Sequence, residues 1–317
     1  MAVYTAVRQP DLEDFLKAYD IGPALSFTGV EQGVENTNYI LTTPQGRFVL
    51  TLFERRTSAA DLPFFAAAIT HCAARGIPAP APVADSKGRL FATLRARPAA
   101  LFTFLEGHQR MAPSVEDCRM TGALAARLHL AATGFMQTRP NGLSLDGWRA
   151  LADKCRPRAD ELSPGLGALI DDELGFLGRN WPHGLPSGLI HADLFPDNVF
   201  FDGGEISGVI DFYFACTDLF VYDLALTLNA WAGASGPWDL PKAAALLEGY
   251  QTHRALGAVE KGALRICLRG ASLRILLTRL HDLLHRIDGA LVKVKDPLEY
   301  RDLLLFHRNG GSAGLIG

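Results

Sequence analysis

Two carboxylates and a carboxamide bracket a short hairpin. Asp193 and Asn198 stand in Leu189-Ile190-His191-Ala192-Asp193-Leu194-Phe195-Pro196-Asp197-Asn198-Val199, and Asp211 follows in Val209-Ile210-Asp211-Phe212. Phosphoryl transfer asks for such a set: an acceptor hydroxyl held and deprotonated late, and oxygen ligands for the hard cations that neutralise charge on the phosphate oxygens. Asp193 fits the first task. Asn198 and Asp211 fit the second, with magnesium as the cation. The plainer reading is that Asp193 and Asn198 cap turns and Asp211 ends a strand, places those residue types favour anyway. The strand, loop, strand order around them is what the catalytic reading requires.

The elements that would position these groups fall into two regions. Before them, a short amphipathic stretch at 11–19 is followed by a break at Gly22-Pro23, and strand patterns at 38–43 and 46–53 flank Pro44-Gln45-Gly46 as an antiparallel hairpin. Residues 24–30 supply a possible third strand, and 61–75 has helical spacing that stops at Gly76-Ile77-Pro78. Further strands are expected at 90–94 and 99–105, separated by Arg95-Ala96-Arg97-Pro98. After Gly107 the pattern turns helical, at 115–132, 168–180, 221–231, 241–253 and 262–287, with strand candidates at 199–201 and 207–210 around Asp202-Gly203-Gly204. The expected fold class is α+β, with an N-terminal lobe over residues 1–107, a hinge about 102–107 and a mainly helical C-terminal lobe over 108–317.

Composition sets bounds on partners. The 317 residues are 48% hydrophobic and 21% charged, enough for a large core. With 31 basic against 34 acidic residues the net charge is −3, so nothing favours a nucleic-acid partner, and a small molecule is the better expectation. Cys72, Cys118, Cys155, Cys216 and Cys267 are scattered and form no Cys-x-x-Cys pair, which argues against a zinc site or a disulfide framework. The first residues lack a basic start and an apolar run, and no apolar stretch reaches the roughly 20 residues that span a bilayer. A cytoplasmic protein without a membrane partner is therefore expected.

The run His191-x-Asp193-x-x-x-x-Asn198, then a strand pair ending in Asp211-Phe212, resembles the catalytic and metal-binding segments of the aminoglycoside phosphotransferase and choline kinase-like family. The resemblance implies a bilobal protein kinase-like fold with a small antiparallel-sheet N-lobe. It also implies ATP and Mg2+ as cofactors, Asp193 as catalytic base, His191 as support for the catalytic loop, and Asn198 and Asp211 as magnesium ligands. Tyr213 stands where protein kinases usually have Gly. Tyr222-Asp223-Leu224-Ala225 resembles the helix after the metal-binding segment, where an Asp braces the catalytic loop; the alternative for Asp223 is a helix N-terminal charge favoured by the dipole. Gly33-Val34-Glu35-Asn36-Thr37-Asn38-Tyr39 resembles a nucleotide-covering loop, with Gly33, Asn36 and Asn38 as candidates at the phosphates, and by itself it reads as a polar turn. Phe104 in the hinge is a candidate at the adenine.

One departure is informative. Kinases of this fold carry a Lys on the third strand paired with a Glu on the next helix, yet Thr51 occupies that strand position and the helix at 61–75 has no Glu. Losing both together is self-consistent, because a buried Glu without its Lys would be costly. Arg47, Arg55 and Arg56 are the cations left to hold the phosphates.

The wider pattern resembles the bacterial homoserine kinases of this fold: residues 31–39, 48–54, Leu62-Pro63-Phe64-Phe65, the loop at 191–199 and Ile210-Asp211-Phe212-Tyr213. In that group Thr at the strand position is no surprise. The implied reaction moves the γ-phosphoryl group of ATP to L-homoserine, a step towards threonine. A zwitterionic acceptor needs a cation for its carboxylate, and Arg274 on the helix at 262–287, with Asn229 and Trp231, are the acceptor candidates. Arg274 is as readily a snorkelling side chain, Trp231 a core residue, and His129 a satisfied core histidine. Other acceptors remain open: choline would want an aromatic cage and an aminoglycoside an acidic cleft, and neither is evident; methylthioribose and hydroxylysine are further alternatives. A pseudokinase-like binding module is the alternative of another class, and the intact Asp193, Asn198 and Asp211 argue against it.

Overall fold

The computed structural model describes residues 5–30, 36–54, 57–233, 236–285 and 295–315. The chain opens with α1 (Gln9–Leu16), which has Pro in its first turn and buries Leu12, Phe15 and Leu16. Strands β1 (Ser26–Gly29), β2 (Thr37–Thr43) and β3 (Gly46–Leu52) follow, then α2 (Leu62–Ala73), β4 (Pro82–Val83), β5 (Ala92–Leu94), β6 (Arg97–Thr103) and β7 (His108–Gln109). The main sheet runs β1-β2-β3-β6-β4, with β5 on β6. Every pairing in it is antiparallel. The turn between β5 and β6 is tighter than its sequence suggests. Arg95 and Ala96 both take left-handed φ, 52° and 60°, so Arg97 and Pro98 join the strand instead of the turn.

The period-two alternation of β3 and β6 divides the sheet cleanly. Leu50, Leu52, Ala99 and Leu101 pack with Leu12, Phe15 and Leu16 of α1. Phe53, Ala100 and Phe102 point the other way, into a core shared with Phe64, Phe65, Ile69 and Cys72 of α2. Thr51, opposite Ala100 in the register, lies between Leu50 and Leu52 and so faces that second side.

The rest of the described chain is mainly helical: α3 (Val115–Ala131), α4 (Leu145–Leu162), α5 (Leu166–Asn180), β8 (Ser187–Ile190), β9 (Val199–Asp202), β10 (Glu205–Val209), β11 (Cys216–Leu219), α6 (Phe220–Ala232), α7 (Leu240–Gln251), α8 (Ala258–Leu284) and α9 (Leu298–Arg308). Ser114 and Asp117 close a reciprocal cap at the start of α3. Helices α3 and α7 touch backbone to backbone, because a side chain on Gly122 would strike Leu246 O and one on Gly249 would strike Arg119 O. Helix α6 is buried from Val221 to Ala232. No helix among the described residues is long and apolar enough to cross a membrane.

Two small strand pairs carry the residues of interest. β8 pairs antiparallel with β11, Ile190 opposite Cys216. β9 and β10 form the hairpin, closed by Gly203 and Gly204 at φ 55° and 93°. β7 adds to the far edge of β9, His108 opposite Phe201. The segment after β6 is thus pressed onto the hairpin. A side chain at Gly107, φ 124°, would meet Ser207 Oγ and Phe201 O.

Candidate active site

The loop from His191 to Asn198 leaves β8 and enters β9. Its shape is set by bonds within the loop and by three elements around it. The Asn198 side-chain Nδ2 donates to the Asp193 carbonyl at 2.8 Å and to Asp193 Oδ2 at 3.0 Å. Ile210 N–H donates to Asn198 O at 3.0 Å, which draws the end of β10, and Asp211 after it, to Asn198. Gln109 of β7 donates to Asp197 O at 2.6 Å from the opposite side. Asn198 is thus held against Asp193, and Asp211 follows the residue whose amide is bonded to Asn198.

Two non-glycine residues here have left-handed backbones, Ala192 at φ 61° and Asp211 at φ 65°. Such conformations persist only where neighbouring contacts over-determine them. For Ala192 the contacts are explicit. Its N–H donates to Asp223 Oδ1 at 2.7 Å, and its carbonyl accepts from Arg274 Nη1 at 2.5 Å.

Asp223, in the first turn of α6, also accepts the His191 N–H at 3.2 Å and meets His129 Nε2 at 2.9 Å, both through Oδ2. Burial by itself would raise the pKa of this carboxyl. The His129 hydrogen bond and charge, His191 and the Ala192 N–H outweigh it and hold the group below the usual carboxylate range. His129 is held in turn by Tyr250 OH at 2.7 Å, as a core histidine would be.

His191 is buried with its ring between two backbone groups. Nε2 contacts Ile210 O at 3.1 Å, and Nδ1 accepts Asp193 N–H at 3.2 Å. These partners assign the neutral tautomer with the proton on Nε2. Burial lowers its pKa to about 4, with the Arg274 charge adding to the shift against the opposing Asp223 charge and Ile210 hydrogen bond. A neutral imidazole thus ties the loop to the residue before Asp211.

On the sheet side, Thr51 is buried and donates to Asn38 Oδ1 at 2.7 Å. The Tyr213 phenol lies nearby, and its pKa is raised by burial and by the Asp211 charge. The Tyr213 ring sits edge-on to Phe53 and Phe65, with centroids 5.2 Å and 5.8 Å away. Where a Lys–Glu ion pair would bridge strand and helix, this chain sets the Tyr213 ring as an aromatic wedge against Phe53 and Phe65, while the Thr51 hydroxyl is turned to Asn38 on the next strand. Helix α2, from Leu62 to Ala73, carries no acidic residue that could accept a charged bridge.

The other expected nucleotide residues are less concentrated. Asn36 is buried, with Oδ1 accepting Glu54 N–H at 3.3 Å. Phe104 lies under the Arg47 guanidinium, 3.7 Å from ring centroid to Cζ. Arg47 also pairs with Glu106 at 3.1 Å, so it serves the start of β3 and not the Thr51 end. Gly33, Arg55 and Arg56 lie outside the described residues.

The three acceptor candidates are placed inside the protein. Asn229 is buried, giving Nδ2 to Leu268 O and Ser272 Oγ and meeting His307 Nε2 at 2.9 Å through Oδ1. Trp231 is buried and donates from Nε1 to Leu194 O at 2.8 Å. Arg274 is buried against the Ala192 carbonyl. Their hydrogen-bonding groups serve helix packing and the loop, so the expectation that they contact the acceptor is corrected to a supporting one. Gln109 and Lys295 went unnoticed in the sequence. Lys295 Nζ reaches Asp197 Oδ2 at 2.9 Å, at the exposed lip of the same loop.

The oxygen set fits a hard cation. With Nδ2 of Asn198 engaged by Asp193, its Oδ1 is the atom left to ligate, and Asp211 adds carboxylate oxygens. Among the described residues no group of three or more His, Cys, Asp or Glu forms a closed metal cage. A site of one amide and one or two carboxylates is the kind that draws its remaining ligands from phosphate oxygens and water.

Comparison with known proteins agrees with this arrangement. Residues 26–256 match the family model described as the phosphotransferase enzyme family. The chain is 50% identical over 318 residues to a homoserine kinase of Rhizobium etli, covering 100% of this chain and 99% of that protein. It is 52% identical over 311 residues to a homoserine kinase of Rhodopseudomonas palustris, covering 98% and 95%. Among solved structures, a spectinomycin phosphotransferase bound to ADP and its antibiotic superposes with a TM-score of 0.73 at 14% identity, over 96% of this chain and 98% of that one. A microcompartment-associated aminopropanol kinase gives a TM-score of 0.68 at 16% identity, over 96% and 98%. These two share the fold, which is that of the protein kinase-like phosphotransferases. The chain belongs to the phosphotransferase enzyme family.

Proposed function

We propose that this chain is a homoserine kinase, transferring the γ-phosphoryl group of ATP to the side-chain hydroxyl of L-homoserine to give O-phospho-L-homoserine and ADP. One observation of the geometry carries the chemistry: the Asn198 amide grips both the backbone and the carboxylate of Asp193, fixing a candidate base beside candidate cation ligands. The choice of acceptor rests on the end-to-end, half-identical match to homoserine kinases.

In this reading Asp193 accepts the proton of the acceptor hydroxyl as the oxygen attacks phosphorus in line. Asn198 keeps the carboxylate from swinging away, and neutral His191 holds the Asp193 amide without adding charge beside the base. Magnesium, held by Asn198 Oδ1 and Asp211, would supply the positive charge that the phosphate oxygens need. Asn36, Asn38 and Thr51 line the sheet side offered to the nucleotide, and the linker at 102–107 offers backbone groups to the adenine. That linker also marks the boundary we assign between an N-terminal lobe, residues 1–107, and a C-terminal lobe, 108–317. A cytoplasmic setting, where ATP is supplied, completes the proposal.

The test is a coupled ADP-release assay offering L-homoserine, choline, methylthioribose and an aminoglycoside. Magnesium-dependent turnover with homoserine is expected, and it should vanish in folded Asp193→Ala and Asp211→Asn proteins. Homoserine proving inert while another acceptor reacts would overturn the acceptor assignment and leave the kinase chemistry standing.

A further inference from the structure

A buried guanidinium in this protein lies within electrostatic reach of Asp218 yet closes no ion pair with it. Arg274, 2% exposed in the middle of α8, makes no ion pair among the described residues, and its Nε has no hydrogen-bond partner. Its neighbours Leu273, Ile275, Leu276 and Leu277 are buried hydrocarbon. Its Cζ also lies 5.4 Å from the Phe214 ring centroid, and placing a charge at so enclosed a position is expensive.

What Arg274 touches is specific. Nη1 donates to the carbonyl of Ala192, the left-handed residue immediately before Asp193. On the other side of the same residue, Asp223 Oδ1 takes the Ala192 N–H. With its amide and its carbonyl both anchored, Ala192 is constrained in φ and in ψ. Ala has no side-chain reason to stay left-handed, since its Cβ crowds the carbonyl there. Release of either anchor lets the peptide rotate, and the next side chain along is the Asp193 carboxylate.

We propose that Arg274 is a positioning residue that clamps the Ala192 carbonyl and thereby holds Asp193 in its working orientation. The inference rests on the kinase reading and deepens it. Rates with ATP and L-homoserine are to be compared for the wild type, Arg274→Lys, Arg274→Met and Arg274→Met with Ala192→Gly, alongside melting curves.

The expected loss of kcat in Arg274→Met is roughly five- to thirtyfold, the population shift that a single left-handed Ala produces when freed. The KM for ATP should stay within about twofold, because ground-state binding of the nucleotide does not use the Asp193 carboxylate. Arg274→Lys keeps the charge and one donor, so it should fall between. Ala192→Gly in the Arg274→Met background should recover much of the lost kcat, because Gly enters the left-handed region freely. A scaffold role alone would not show that rescue.

An unchanged kcat in folded Arg274→Met, or a double variant no faster than the single one, overturns the proposal. If Arg274→Met does not fold, Arg274→Lys with and without Ala192→Gly carries the same comparison. A wild type inert toward every acceptor sinks the kinase reading instead, so the two failures are distinguishable.

Discussion

Asp223 and Ala192 meet through a single short hydrogen bond, Ala192 N–H to Asp223 Oδ1 at 2.7 Å, across 31 residues of chain. The sequence left Asp223 between a loop brace and a helix-end charge. It occupies the first turn of α6, yet its oxygens face the loop and His129.

Asp223→Asn should damage the loop more than the helix. The amide keeps one acceptor oxygen but turns an NH2 toward donors at His191 N–H or His129 Nε2. A buried donor facing a donor costs about 1–3 kcal/mol, and breaking a buried charged network about 3–5 kcal/mol. We expect a loss of about 3 kcal/mol in urea unfolding, with kcat reduced on the order of a hundredfold. Wild-type kcat in this variant would rule out the brace.

Thr51 should tolerate a change of shape better than a change of charge. Thr51→Val leaves Asn38 Oδ1 without this partner and should cost about 1–2 kcal/mol. Thr51→Lys, which restores the side chain usual in kinases of this fold, buries an ammonium beside an α2 with no acidic residue in its first turn. It should be the less stable of the two in a melting curve and gain no activity. A faster Thr51→Lys enzyme would show that the hydroxyl contact is incidental.

The pH dependence of stability should carry the mark of buried, neutral histidines. Burial, helped by the Arg269 charge, lowers the pKa of His307 to about 3. His307 contacts Asn229 Oδ1 through Nε2 at 2.9 Å. Because the folded value lies below the ordinary 6.5, the unfolded chain binds the proton first. Its contribution is therefore whole above pH 6.5 and lost as the pH falls from there towards 3, at up to about 1.4 kcal/mol per pH unit. His307→Gln keeps a donor for Asn229 and does not titrate. Between pH 7 and 5, urea unfolding should show a smaller loss for His307→Gln than for the wild type, and equal losses would refute the assignment.

The same substitution should have opposite signs at two glycines. Gly122→Ala on α3 drives a methyl into Leu246 O of α7 and should destabilise by about 2–3 kcal/mol or prevent folding. Gly262→Ala, inside α8, meets nothing within 4 Å and should stabilise by about 0.5–1 kcal/mol. Paired melting curves decide both.

The sequence revealed the loop and its hairpin better than it revealed their supports. The grouping of His191, Asp193, Asn198 and Asp211 was legible because those residues stand at fixed separations around the β9–β10 hairpin. Helix α4 was missed because Gly147 and Pro157 interrupt its pattern, although Pro157 stays within the helix. Helix α9 was missed despite Pro297 at its start. β8 and β11 are four residues each and become strands only by pairing with each other across the hairpin. Asn229 and Trp231 were hard to place for a different reason. Periodicity reports that a helix is amphipathic, but α6 is buried on every side, so it has no polar face from which to infer a cleft.

Trp231 and Asp223 hold the loop from one helix at two points, through Leu194 O and through the amides of His191 and Ala192, roughly 12 Å apart along the axis. Segments that do chemistry are commonly drawn from the least protected part of a fold. Here the loop that carries Asp193 shares its anchors with a helix buried from Val221 to Ala232, so the His191 and Ala192 amides should exchange with solvent only when α6 itself opens. Whatever motion admits and releases substrates must then arise elsewhere, in the sheet and its linker, while the loop stays as rigid as the core beneath it.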